Sequence, residues 1–149
     1  MANLKHKLKK MLPILKVKQF KVDEESRTLS EIKAQKEAAM TALQRYQKLY
    51  IEGIDQLNIE RQSADRARLP VLENSIDYAK AKWYESLGIL KDFEAKEHAQ
   101  LNILVKAQQD LHIFEKLEEK YKNELIIIEN QKEQKSLDEH SIKAFNSRR

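Results

Sequence analysis

Alternating intervals of three and four residues, taken from Leu15, land on Leu15, Lys18, Val22, Glu25, Leu29, Ile32, Lys36, Ala39, Leu43, Tyr46, Tyr50, Gly53 and Leu57. That is a stripe of period 3.5 with polar interruptions, the pattern of a helix that supercoils on a partner. The second half repeats it more strongly through Ile76, Ala79, Trp83, Ser86, Leu90, Phe93, Glu97, Gln100, Leu104, Ala107, Leu111, Phe114, Glu118, Tyr121, Leu125 and Ile128. Leu87, Leu101 and Leu117 are expected to widen this second stripe. No alternation of strand period competes with either stripe.

The pattern predicts an all-α protein, two long helices folded as an antiparallel coiled-coil hairpin with a C-terminal helical overhang. Pro13 suits the first turn of helix one, where its missing N–H costs nothing, and Pro70 opens helix two in the same way. Glu73 and Asp77 then sit near the positive end of that helix. The expected layout is a single coiled-coil domain over 1–149, with a basic arm at 1–12, helix one at 14–60, a polar turn at 61–69 and helix two at 70–147. At 1.5 Å per residue the helices span roughly 70 Å and 115 Å, so the longer one outlasts its partner. Gly53 falls inside helix one, at about 1 kcal/mol relative to Ala, and is expected to mark a bend.

Past Ile128 the same intervals reach Lys132, Lys135 and Glu139, which are poor buried knobs. The apolar seam should therefore stop near Ile128. The segment "ENQKEQKSLDEHSIKAFNSRR" is then a polar extension with little of its own to bury, expected to order mainly on binding a partner.

Composition agrees with the pattern. Gly and Pro each occur twice in 149 residues, too few to punctuate many short elements, and 35% of residues are charged. The absence of cysteine excludes disulfides and thiolate metal sites. No apolar run approaches the roughly 18 residues needed to cross a bilayer, and "MANLKHKLKKMLPILKVKQFK" lacks a continuous apolar core of a signal peptide, so a cytosolic protein is expected. The net charge of +4 is unevenly placed: Lys5, Lys7, Lys9, Lys10, Lys16, Lys18 and Lys21 all precede the first acid, Asp23. Such an arm is a solvated extension or a surface for an acidic protein, anionic lipid or nucleic acid.

Catalytic patterns are absent. There is no Gly-rich phosphate loop, no H-E-x-x-H and no G-x-S-x-G. His6, His98, His112 and His140 are too far apart along helices to share a ligand, and Asp138 and Glu139, being adjacent, do not share a helix face. Trp83, Phe93, Phe114 and Tyr121 fall in the seam, which favours core packing over base stacking. The expectation is a protein that is not an enzyme, with no cofactor, no metal and no nucleic-acid partner.

Three passages carry a resemblance. "LPILKVKQFKVDEESRTLSE", "LQRYQKLYIEGI" and "FEKLEEKYKNELIIIENQKEQKSLDEHSIKAF" resemble the corresponding passages of the FliJ family, coiled-coil proteins of the flagellar type III export apparatus. In the first, the matching positions are Leu12, Leu15, Val17, Lys18, Asp23 and Glu24. In the last they are Phe114, Leu117, Glu129, Asn130, Gln134, Lys135, Leu137, Asp138 and Glu139, with "QKSLDE" the most specific part. The resemblance implies a non-catalytic stalk that enters a hexameric export ATPase, connects it to the membrane export gate and handles export chaperones. It implies a location in the cytoplasm, peripheral to the inner membrane at the flagellar base through those partners. Carried onto this sequence, the ATPase-facing residues are Leu15, Lys18, Lys135, Asp138, Glu139 and Lys143, and the gate-facing residues are Leu72, Ile76, Ala79 and Trp83. The turn region and the basic extension before Pro13 depart from the family pattern, and Ile76, Ala79 and Trp83 also fit the seam. The alternative function, from a different class, is a structural coiled-coil adaptor that scaffolds other helices.

Overall fold

The computed structural model describes residues 2–63 and 66–148. Two helices make up the fold, α1 (Ala2–Arg61) and α2 (Leu69–Ser147), and no strand occurs among the described residues. They pack against each other as an antiparallel hairpin. Two compact units are formed, one from Met1–Glu24 with Val105–Arg149 and one from Glu25–Leu104.

In the Glu25–Leu104 unit the seam is the predicted one. Leu29, Ala39 and Leu57 from α1 and Ala79, Leu90 and Leu104 from α2 are buried, and every other stripe position in the unit except Ser86 and Gln100 is half-buried. Ser86 and Gln100 are buried polar residues. Full burial of a leucine contributes about 1.5–3 kcal/mol, so the four buried leucines, Leu29, Leu57, Leu90 and Leu104, and the flanking half-buried residues are the main stabilising term here. Cross-helix pairs set the register. Gln100 Nε2 donates to the Glu25 backbone carbonyl at 3.1 Å and to its side-chain carboxylate. Lys36 Nζ lies 3.0 Å from Glu97 Oε2, the Tyr50 and Trp83 rings are 5.5 Å apart, and Arg61 reaches Glu73 at 3.9 Å. Partner numbers converge toward the turn, as antiparallel pairing requires. Leu101, expected to widen the stripe, is exposed instead, because the seam is satisfied by its neighbours Gln100 and Leu104.

Gly53 stays within α1, as expected, but for a packing reason. A Cβ there would meet Ile76 Cγ1 at 2.9 Å, closer than carbon atoms approach, so the missing side chain makes room for Ile76 across the seam.

In the other unit, Lys18 Nζ sits 2.6 Å from Asp110 Oδ2 and 5.3 Å from the Phe114 ring centroid, and Lys7 Nζ lies over Tyr121 at 5.3 Å. Met11 and Leu111 are the buried hydrophobic residues. The helix start expected at residue 14 is corrected, because α1 begins at Ala2 and Pro13 lies inside it. Pro13 has no N–H for the Lys9 carbonyl, and an interior proline costs about 3 kcal/mol. The helix continues through it because Leu4, Leu8 and Met11, stepped back from Leu15 by the same intervals, extend the seam toward the N-terminus. Residues 2–12 of the expected arm are therefore the first part of a packed helix and not a free arm.

At the other chain end α2 remains helical to Ser147, although residues 129–148 are all exposed. The segment expected to order mainly on binding is helical in the structure, with local pairs such as Gln134 Nε2 to Asp138 Oδ1 at 3.2 Å. In the expected turn, Gln62 and Ser63 N–H groups bond back to Ile59 and Glu60 carbonyls at 3.1 Å, closing the last turn of α1. Ala64 and Asp65, also placed in that turn, lie outside the described residues.

Candidate partner-binding surfaces

The six residues assigned to an ATPase contact all lie in the unit built from Met1–Glu24 and Val105–Arg149, but they do not form one patch. Leu15 is half-buried in the seam, and Lys18 is held there by Asp110 and Phe114. Lys135 comes about 25 residues after Asp110 along α2, roughly 37 Å of helix. Lys135, Asp138, Glu139 and Lys143 form a separate exposed group on the overhang. Lys135 and Glu139, one turn apart, share a face, and Asp138 lies beside them with its carboxylate accepting from Gln134. Around them Leu137, Ile142 and Phe145 are exposed as well. Helix geometry thus presents mixed charge and apolar side chains along an exposed segment.

The four gate-assigned residues lie together in the Glu25–Leu104 unit. Ala79 is only 4% exposed and is core. Ile76 and Trp83 are half-buried, Ile76 against Gly53 and Trp83 against Tyr50, with the Tyr84 ring also stacked on Trp83 at 5.7 Å and 14° between ring planes. Leu72 and Ile76 nonetheless help to line an open groove of about 480 Å³ whose walls include Leu49, Val71 and Tyr78. Leu49, Val71 and Tyr78 are exposed, and they were not singled out by the stripe. The available signal was Val71 and Tyr78 at a spacing of one heptad beside the seam, which places two apolar residues on one flank.

Electrostatics around these surfaces is mild. Two lysines titrate higher than usual: Lys36 through its direct contact with the Glu97 carboxylate and that group's charge, and Lys82 through the same two effects from Glu85. Both are structural ion pairs screened by solvent, Lys36–Glu97 between the two helices and Lys82–Glu85 within α2. His6, His98, His112 and His140 are exposed and dispersed. Among the described residues no group of three or more His, Cys, Asp or Glu could hold a metal ion, and no helix is long and apolar enough to cross a membrane. The arrangement presents two accessible surfaces, an exposed helical tail and an apolar groove.

Comparison with known families gives one match. The family described as "Flagellar FliJ protein" matches residues 6–149, nearly the entire chain. No individual curated protein and no solved structure matches.

Proposed function

The chain belongs to the FliJ family of flagellar export-apparatus coiled-coil proteins, and from that premise we propose that it is a stalk that binds the hexameric export ATPase through its C-terminal overhang. The observation that carries this reading is the run of exposed positions over residues 129–148 on a helix that continues to Ser147. A helix of that length without tertiary contacts is marginal by itself, which suits a segment completed by a partner. Lys135, Asp138, Glu139 and Lys143 supply the contacts, while Leu15 and Lys18 anchor the paired helices that carry the tail. Exposed charge pairs are individually weak, about 0–1 kcal/mol, which allows exchange between successive subunits of a ring.

The export gate is assigned to the groove. Leu72 and Ile76 form its wall and Val71, Tyr78 and Leu49 its accessible apolar surface, with Ala79 lining it from within the seam and Trp83 one turn further along α2. Export chaperones are further partners implied by the family role. The place of action is the cytoplasmic face of the inner membrane at the flagellar base.

The test is the turnover of the cognate export ATPase with purified full-length protein and with a chain lacking residues 132–149. Full-length protein raises turnover and the truncated chain does not, although circular dichroism shows its remaining helices intact. Equal stimulation by both proteins would remove the tail from the ATPase contact.

A further inference from the structure

The face of α1 turned away from the seam between Lys5 and Phe20 has a use that neither proposed partner requires. Pro13, Val17 and Phe20 stand at positions i, i+4 and i+7, in one line along the helix. Met11, Leu15 and Lys18 point into the seam on the other side. Val17 and Phe20 are each 64% exposed. Lys9 and Lys16, one turn before and one turn after Pro13, border the line on one side, and Lys10 borders it on the other. No carboxylate occurs in residues 2–22, and Lys5, Lys9, Lys10 and Lys16 make no ion pair among the described residues. An apolar ridge flanked by unneutralised lysines is therefore held outward on a helix whose opposite face is already packed.

We propose that this face binds an anionic lipid bilayer directly, with α1 lying in the plane of the interface. Val17 and Phe20 enter the boundary between headgroups and acyl chains, and Lys9, Lys10 and Lys16 meet lipid phosphates and carboxylates. The apolar ridge decides between polyanions. A nucleic-acid backbone satisfies the lysines but leaves Val17 and Phe20 against charged phosphate, whereas a bilayer satisfies both. The contact is interfacial, since no described helix can span the membrane. It is also independent of the ATPase and gate assignments, because it uses neither the overhang nor the groove.

The experiment is co-sedimentation of full-length protein with vesicles of phosphatidylcholine, with or without about one-third phosphatidylserine. Binding is expected to the anionic vesicles only and to weaken as salt rises. Replacing Lys9, Lys10 and Lys16 by Gln lowers partitioning on the order of a hundredfold, as expected for three lysines near an anionic surface, while replacing them by Arg retains it. Val17→Ser with Phe20→Ser lowers it at least severalfold, and circular dichroism checks that each variant keeps its helicity. Equal binding to neutral and anionic vesicles, or no binding to either, overturns the proposal. Unchanged binding of the Val17→Ser/Phe20→Ser protein, with displacement from vesicles by duplex DNA, also overturns it and leaves a general polyanion contact.

Discussion

Residues 76–125 and 129–147 of α2 belong to one continuous helix with similar charge content, but only the first has anything to pack against. In the first, Ala79, Leu90, Leu104 and Leu111 are buried along the stripe of alternating three- and four-residue steps, and even the polar Gln100 finds partners across the seam at Glu25. In the second, every residue is exposed, including Leu137 at 56%. Helix propensity is therefore common to both segments and tertiary burial separates them. Stability comes from the packed stripe, and the exposed continuation adds none of that burial.

Leucine truncation draws this contrast most sharply. Leu104→Ala removes a buried side chain and is expected to cost about 2–5 kcal/mol, because transfer energy and a residual cavity add. Leu137→Ala on the overhang should stay within about 0.5 kcal/mol of the native chain. Urea unfolding followed by circular dichroism compares the two, and equal losses would mean that the overhang is packed in solution.

The glycines give a smaller effect of the same kind. Gly88 has nothing within 4 Å of where a Cβ would stand, so Gly88→Ala should stabilise by about 0.5–1 kcal/mol through helix propensity. Gly53→Ala gains the same propensity but must displace Ile76, and it should fall about 1–3 kcal/mol short of the Gly88 variant. Thermal denaturation of the two variants measures that difference directly.

The smallest effect is the alkaline response of the Lys36–Glu97 pair. Glu97 raises the Lys36 pKa in the folded chain above its ordinary value of 10.5. The proton is thus held more tightly folded than unfolded, so the stabilising contribution is complete below about pH 10.5 and is lost as pH rises through the folded value. Comparing urea midpoints of native protein and Lys36→Met across that range should show the native chain losing more stability at the alkaline end.

The seam was legible residue by residue because a 3.5-residue period leaves a long record: Leu29, Ala39, Leu57, Ala79, Leu90 and Leu104 were all on the predicted stripes and all are buried. Even its end near Ile128 follows from charged residues taking the next stripe positions. The start of α1 was misread because proline is a strong local signal, and Pro13 outweighed the more distant evidence of Leu4, Leu8 and Met11 in phase with Leu15. Leu101 was misassigned because hydrophobicity alone cannot tell a seam position from its flank. The groove by Val71 and Tyr78 depends on side chains from both helices, and a pattern read along one helix at a time does not reach it. The family passages named residues by position, whereas the structure separates Lys18, engaged in the seam, from the free-standing group around Lys135.

The most direct measurement is amide hydrogen exchange, with and without the cognate hexameric export ATPase. Residues 129–147 should exchange rapidly in the free chain, since their helix lacks tertiary contacts, while the buried stripe between residues 76 and 125 is protected. Adding the ATPase should slow exchange selectively over 129–147 and leave the stripe nearly unchanged. Strong protection of 129–147 in the free chain, or none gained in the complex, would contradict the assignment of this segment as the partner-completed part of α2.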